Sequence, residues 1–181
     1  MSRLTVYHQS TPDIPNKVLG HEEDITATLF EWGVAFERSQ PGLPVSTRAS
    51  QEEVLATCRT EVDALMARSG SLELDVLSVD EEYPGDAPLR AELQREHSLQ
   101  GDCTMCLLAG RALLSLHVGD YVYALLCERN DRVVVPAGMA HWLNIGERPR
   151  LVALRLFTDP QGWRPQYSGS DIAERFCGLE D

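Results

Sequence analysis

Residues 135–142 read VPAGMAHW, and this stretch decides the fold. Proline fixes the backbone dihedral φ and glycine adopts conformations that other residues avoid, so Pro136 and Gly138 predict a tight turn. Such a turn delivers His141 at the start of the strand that follows. The motif thus places one histidine at a defined point in the second half of the chain.

A second histidine lies upstream in a segment that also has a pattern. Glu96-His97-Ser98-Leu99 is followed by Cys103 and then by Gly110. Of the five histidines in the chain, His97 and His141 stand in the clearest sequence contexts. We therefore take a pocket around His97, Cys103 and His141 as the candidate site.

The bulk composition is that of an ordinary globular protein. The 181 residues suffice for one domain with a buried core. The net charge of −12 argues against nucleic acid, whose phosphates require clustered lysine and arginine. No stretch approaches the roughly 18 consecutive apolar residues of a membrane span, and the N-terminus lacks a signal-peptide core, so we expect a cytoplasmic protein. Five cysteines at irregular spacing are expected to stay reduced there.

Helical patterns occupy much of the first half of the chain. Residues 21–32 carry apolar side chains on one helical face. Ser50 and Glu53 predict a capping box at the start of a second helix. We expect that helix to run to Gly70 with Cys58 in its buried face.

From residue 75 onward the chain is rich in short β-type runs separated by turn signals. One of these signals is Ala109-Gly110, between the second and third runs. Many short strands with turns between them predict a barrel or a sandwich. The predicted strands cover residues 75–79, 105–109, 113–117, 121–127, 132–135 and 151–157.

The two histidine segments resemble the two motifs of the cupin barrels. The first motif is His-x-His, followed after a short gap by a glutamate and after six further residues by a glycine. The second motif is a glycine, five residues, Pro-x-Gly, two residues and a histidine, and residues 130–141 match it with Asn130 in place of the first glycine. Asparagine tolerates the left-handed backbone, so the turn is kept. The first motif falls on His97, Leu99, Cys103 and Gly110.

A closer resemblance covers nearly the whole chain, to the acireductone dioxygenase family. It implies a mainly β fold, a cupin barrel (double-stranded β-helix) with a few flanking N-terminal helices. The segments that carry it are LTVY at 4–7, GVAFER at 33–38, YVY at 121–123, VPAGMAHW at 135–142, LRLFTDPQGW at 154–163 and SDIAERF at 170–176.

The resemblance also implies how the chain is divided. We expect a single cupin domain over 1–181. Within it, a mixed α/β N-terminal portion spans 1–95, a barrel core with both motifs spans 96–157, and a C-terminal tail spans 158–181.

An activity follows from the same resemblance. Members of this family hold Fe(II) or Ni(II) with three histidines and one glutamate, and they cleave an enediol with dioxygen while a nearby arginine binds the enediolate. The first and third histidines fall on His97 and His141. The second falls on Leu99, the glutamate on Cys103 and the arginine on Met105. Half of the ligand set and the positive partner of the substrate are therefore changed together.

Strand alternation predicts where the replacements point. If the intervening turn follows the family, Leu99, Cys103 and Met105 face the barrel interior with His97, while Cys106 faces away. Two histidines and a thiolate suit one divalent transition metal ion such as iron or zinc, or copper, and Met105 as a distant thioether would complete a blue-copper type of set. The alternative is that the metal is lost and Cys103 is a packing residue. We favour a metal because an apolar barrel has little structural need of two histidines.

Further candidates surround this set. Arg155 and Trp163 lie near the positions with which the family lines its pocket, so we predict that they contact the substrate. Leu99 and Met105 are also predicted to bind the substrate, and they would make the same pocket more apolar and less positive.

Glu96 has three open interpretations. It is a candidate acid or base, it could orient His97, or it could be a surface carboxylate. For His117 we expect a structural role.

Two functions remain open from sequence. The first is a metal-dependent oxygenase acting on a small molecule and dioxygen, as a monomer or small homo-oligomer, with a substrate other than the usual enediol or with slow turnover of it. The alternative is a non-redox cupin binding module or an inactive homologue without metal. A weaker possibility is covalent attack by Cys103 with His97 or His141 as base.

Overall fold

The fold is built around one long strand, β6. The computed structural model describes residues 1–38, 45–46, 48–80 and 87–180. Within them the strands form an 11-stranded sheet with antiparallel pairing, so the prediction of a mainly β protein is confirmed. The strands are β1 (Arg3–His8), β2 (Pro15–Leu19), β3 (Ala35–Arg38), β4 (Glu73–Asp80), β5 (His97–Ser98), β6 (Cys103–Val118), β7 (Tyr121–Glu128), β8 (Asp131–Val135), β9 (Ala140–Asn144), β10 (Arg150–Phe157) and β11 (Gln166–Tyr167).

Strand β6 changes partners at Gly110. Its first half pairs with β8 and β10, and its second half pairs with β7 and β9. Gly110 has φ +77°, and a Cβ there would lie 1.7 Å from the carbonyl oxygen of Arg150. Only glycine fits this bend. The turn predicted at Ala109-Gly110 is therefore a kink within one continuous strand, and β10 accommodates it by a register shift between Val152 and Ala153.

Strands from outside the predicted barrel core complete the sheet. β1 pairs with β7, β3 with β8 and β4 with β10, while β11 pairs with β5. The sheet thus extends beyond residues 96–157, the segment predicted to hold the barrel core with both motifs. The physical reason is that β7, β8 and β10 would otherwise expose rows of unpaired N–H and C=O groups.

In the described ranges, four α-helices flank the sheet: α1 (Glu22–Phe30), α2 (Gln51–Thr57), α3 (Arg59–Ser69) and α4 (Ala87–Gln94). The predicted capping box is confirmed, since Ser50 and Glu53 each bond the backbone N–H of the other. The single helix predicted up to Gly70 is two helices, because Cys58 has φ −108° and ψ 15° and interrupts the helical backbone. In the described part of the chain, no helix is long and apolar enough to cross a membrane.

Side chains along β6 and β10 alternate between the two faces of the sheet, and each face carries an apolar cluster. The barrel interior includes Met105, Leu107 and Leu151. On the other face, Cys106 and Leu154 pack with residues of α2 and α3, Cys58 among them. As predicted, Cys58 is a buried residue of the helical layer.

The C-terminal segment covers the outer side of the sheet. Within the segment predicted as a C-terminal tail, a 3-10 helix spans Ile172–Arg175. Ile172 packs with Val122 of β7 and Trp142 of β9. The outer faces of these strands are thereby removed from solvent.

Candidate metal centre

Two short strands bring His97 and His141 together. His97 of β5 pairs directly with His141 of β9, and residues paired across a sheet project to the same face. Their ring centroids are 4.5 Å apart, and both side chains are buried, with 2% and 6% exposure. The structure therefore places the two predicted histidine ligands side by side.

A backbone carbonyl fixes each imidazole. Nδ1 of His97 lies 2.7 Å from the carbonyl oxygen of Arg95, and Nδ1 of His141 lies 2.8 Å from that of Met139. A carbonyl oxygen only accepts, so each Nδ1 carries the proton and donates it. Each Nε2 is left with a free lone pair. This is the tautomer and the support that metal-binding histidines have in proteins.

The surroundings keep both imidazoles neutral. Burial lowers the pKa of His97, and the guanidinium of Arg155 lowers it further. Burial also lowers the pKa of His141 to about 4, and His97 and Arg155 add to this effect. At neutral pH the two rings thus offer lone pairs rather than positive charge.

Both histidines line a small and mostly apolar pocket inside the barrel. Its volume is about 30 Å³, roughly the space that one water molecule occupies in the liquid. Organic ligands usually occupy pockets of about 300–1,000 Å³, so a substrate enters this one only if lining side chains move. The lining residues are Leu93, His97, Cys103, Met105, Leu114, Val135, His141, Leu143, Arg155 and Trp163.

The predicted orientations along β6 hold for its cysteines and methionine. Cys103 and Met105 face the pocket, whereas Cys106 lies in the cluster on the other face. Leu99 does not line the pocket itself but packs with Cys103, Phe157 and Trp163 at its edge. Leu99 thus supports the pocket wall.

The side chain of Cys103 lines the same pocket as the two histidines and is a protonated thiol. Burial raises the pKa of Cys103 to about 12, although the guanidinium of Arg155 opposes the rise. A metal ion would have to displace this proton in order to bind the sulfur. Within the described ranges, no group of three or more His, Cys, Asp or Glu side chains is arranged to hold a metal ion. The thiol is a donor near the two histidines and not part of a closed ligand set.

Arg155 lies in the pocket lining and forms an ion pair with Asp75. Its Nε and Nη2 donate to the two carboxylate oxygens of Asp75 at 2.8 and 2.7 Å. The guanidinium also stacks over the ring of Trp163, 4.5 Å from its centroid. Arg155 and Trp163, both predicted to contact the substrate, therefore line the pocket, and the ion pair with Asp75 offsets part of the positive charge of Arg155.

Glu96 lies away from the pocket. Its carboxylate is buried and accepts a hydrogen bond from Nδ1 of His117 at 2.6 Å. The interpretation of Glu96 as an acid or base acting inside the pocket does not agree with this position, because strand alternation turns its side chain to the face opposite His97. The surface-carboxylate interpretation is also wrong, since Glu96 is 5% exposed.

Asp75 was not recognised from the sequence as part of the site. It begins a predicted strand and carries no motif of its own. Only the pairing of β4 with β10, which sets Asp75 opposite Arg155, gives it a role. The apolar lining residues Leu93, Leu114, Val135 and Leu143 were equally hidden, since each is one apolar residue within a strand or helix.

The donor chemistry fits a transition metal ion in part. Two Nε2 atoms with anchored rings match the requirement for neutral imidazole ligands, and Cys103 offers sulfur in the same pocket. Leu99 offers no donor. His97 and His141 therefore fit the metal that the resemblance implies, and the remaining positions differ from the implied set.

Comparisons with known proteins agree with this picture of the fold. The sequence model described as the ARD/ARD' family matches residues 4–165. The acireductone dioxygenase of Pseudomonas syringae pv. tomato (strain ATCC BAA-871 / DC3000) is 52% identical over 181 residues and covers all of both chains. That of Pseudomonas fluorescens (strain Pf0-1) is 49% identical over the same full length.

A solved structure shows the same architecture. It is an acireductone dioxygenase from Bacillus anthracis with a cadmium ion in its active centre, and it superposes with a TM-score of 0.78. The match covers 92% of this chain and 98% of that one at 23% identity, so it bears on the fold alone. The predicted cupin fold is confirmed. By sequence along its full length, the chain belongs to the acireductone dioxygenase family, a family of metal-dependent dioxygenases.

Proposed function

We propose that this chain is a metal-dependent oxygenase that binds one divalent transition metal ion through His97 and His141, with Cys103 as a third donor. The observation that carries the proposal is the pair of buried imidazoles, each anchored at Nδ1 and each free at Nε2. Burying two neutral imidazoles side by side in an apolar barrel costs free energy. Metal binding gives a functional reason for that cost.

The family points to Fe(II) or Ni(II), and the thiol of Cys103 adds zinc and copper as candidates. When bound, the ion supplies a Lewis acid and a template for substrate and dioxygen. The chain itself holds the ligands in place and keeps water out. Leu93, Leu114 and Val135 contribute the apolar wall that does so.

The substrate, in this proposal, is a small molecule that carries less negative charge than the enediolate of ordinary family members. Met105 stands at the position where the resemblance implies an arginine. Arg155, the remaining cation of the lining, forms an ion pair with Asp75. An anion would therefore meet one arginine that already has a carboxylate partner, in place of the free arginine that the resemblance implies at position 105.

A second candidate function is a non-redox binding module without metal. Two observations favour it: the described residues contain no closed set of three donors, and the pocket volume is about 30 Å³. In that case Cys103 would be a packing residue beside Phe157 and Leu99.

Metal content separates the two candidates. We would reconstitute the protein anaerobically with Fe(II), Ni(II), Zn(II) or Cu(II), remove unbound metal and measure the remainder by elemental analysis. The oxygenase predicts about one equivalent of metal in the wild type, lost in His141→Ala. The matched control is His8→Ala, which removes a histidine that bonds Ser10 outside the barrel.

Either of two results would contradict the metal-dependent function. One is a folded wild type that retains none of the four metals. The other is equal retention by the wild type and His141→Ala. The first result favours the metal-free binding module.

We also propose that the protein works in the cytoplasm as a monomer or small homo-oligomer. All five cysteines are free thiols, which suits a reducing compartment. Light scattering on the purified protein measures the oligomeric state.

A further inference from the structure

Glu96 and His117 occupy the outer face of the strands that carry the two pocket histidines. In the sheet, His141 of β9 lies between His97 of β5 and Leu116 of β6. Cross-strand partners share a face and sequence neighbours alternate. Because His97, His141 and Leu116 all face the interior, their neighbours Glu96 and His117 project to the outer side.

The hydrogen bond between these two residues spans the middle strand. β5 and β6 are not neighbours, since β9 lies between them, and two strand spacings amount to roughly 10 Å. The carboxylate of Glu96 and Nδ1 of His117 nevertheless meet at 2.6 Å, with side-chain exposures of 4% and 19%. His117 pairs with Ala140, whose small side chain on the same face leaves room for the crossing.

The strand that carries His97 has few pairings within the sheet. β5 consists of two residues, and it pairs with β9 only at His97 opposite His141. On its other side it pairs with the two residues of β11. The carbonyl oxygen of Glu96 accepts one further bond from the backbone N–H of Ser168.

We propose that the Glu96–His117 pair is a clamp that positions His97 against His141. The clamp joins the residue before His97 to the strand that supports His141, so it sets the distance between the two imidazoles from behind the sheet. Glu96 and His117 are positioning residues and do not touch the pocket. The clamp acts on the metal-free protein, and only its effect on metal affinity rests on the proposed function.

Imidazole nitrogen NMR tests the clamp directly. Long-range ¹H–¹⁵N spectra of the metal-free protein report which nitrogen of each histidine carries the proton. We expect His97 of the wild type in a single Nδ1–H form, bonded to Arg95. In Glu96→Ala we expect a mixture of tautomers, with the Nδ1–H proton exchanging at least about tenfold faster because local opening becomes easier.

Three further variants make the test specific. Glu96→Gln keeps an oxygen acceptor for His117 and should restore the wild-type spectrum of His97. His117→Ala removes the donor and should reproduce Glu96→Ala, and the double variant should be no worse than either single one. The control is Asp131→Ala, which removes an equally buried carboxylate that accepts bonds from Ser2 and Arg38 at the far end of β8.

Affinity for Co(II), measured by the visible absorption of the bound ion, gives a separate readout. Loss of the clamp should weaken it by roughly 10–100-fold, as for other residues that orient metal ligands. A wild type that binds no Co(II) would count against the proposed metal function and leave the NMR result to decide the clamp. The clamp is overturned if His97 keeps one tautomer in both Glu96→Ala and His117→Ala, or if Asp131→Ala disturbs it equally.

Discussion

The two faces of β5, β9 and β6 use histidine in opposite ways. On the inner face, His97 and His141 each donate Nδ1–H to a backbone carbonyl and keep Nε2 free. On the outer face, His117 donates Nδ1–H to the carboxylate of Glu96. The inner rings lie in the candidate metal pocket with their Nε2 atoms free, whereas the ring of His117 lies outside that pocket and joins β6 to the residue before His97.

Charge on the inner face is nearly balanced. The inner face carries two neutral imidazoles, a neutral thiol and one arginine that Asp75 compensates. A metal ion placed there would be the dominant charge of the pocket. In the proposals made above, three strands supply both a ligand pair and the support that holds it.

The largest expected effect is a gain of enediol turnover when three pocket residues are replaced by the family's residues. Leu99→His, Cys103→Glu and Met105→Arg together install the donors and the cation that the resemblance implies. Each regained ligand is worth at least roughly 10–100-fold in metal affinity or activity, so turnover of the usual enediol should rise about 1,000-fold over the wild type. Oxygen consumption with iron-loaded protein measures it.

The outer face provides the control for this experiment. Adding Glu96→Gln to the triple variant should preserve the gain, because the amide oxygen still accepts from His117. If the metal-loaded triple variant turned over no more enediol than the wild type, the three replacements would not explain the altered pocket.

The next largest expected effect is a loss of folding stability in acid, caused by His141. His141 has its pKa lowered to about 4 when folded, against about 6.5 when unfolded. Above pH 6.5 the ring is neutral in both states and its contribution is complete. As pH falls toward 4 the unfolded chain binds a proton that the folded protein does not, so roughly 3 kcal/mol is lost from the free energy of unfolding.

Urea unfolding of the metal-free protein at pH 7.5 and pH 4.5 checks this expectation. His141→Leu should show a smaller loss between the two pH values than the wild type, and His8→Ala should match the wild type. An identical pH dependence in His141→Leu and the wild type would show that the buried imidazole is not the source.

The smallest expected effect distinguishes the two cysteines of β6. Cys103 faces the pocket and Cys106 faces the helical layer. Cys103→Ser should weaken Zn(II) binding about tenfold or more, since a hydroxyl is a poorer ligand for zinc than a thiolate. Cys106→Ser should leave zinc affinity unchanged, as competition with a chromogenic chelator can show. Equal affinities in the two variants would exclude Cys103 as a donor.

Much of the fold was predictable because local signals agree with the tertiary structure. The capping box at Ser50 and the left-handed backbone at Asn130, with φ 78°, were both expected from residue type. Gly110 was expected to form a turn and forms a kink instead. The sequence indicates that glycine is needed there, but only the close approach of Arg150 shows why.

Site residues could be predicted from the sequence where a single residue type in a motif indicates the role. They could not be predicted where the role depends on a partner from another strand. Two histidines in motif positions, and the alternation of Cys103, Met105 and Cys106, were sufficient to predict which side chains meet. The pairs formed by Arg155 with Asp75 and by Glu96 with His117 join residues 80 and 21 positions apart in the chain, which only the order of the strands brings together. No local pattern encodes such a register.

The most direct test of the central claim is X-ray absorption spectroscopy at the metal edge of zinc-loaded protein. Two imidazoles and one thiolate predict a nitrogen shell at about 2.0–2.1 Å and one sulfur at about 2.3 Å. Multiple scattering typical of imidazole should be present in the wild type and reduced in His141→Ala. A spectrum with oxygen neighbours only, unchanged in His141→Ala, would contradict the assignment of His97 and His141 as metal ligands.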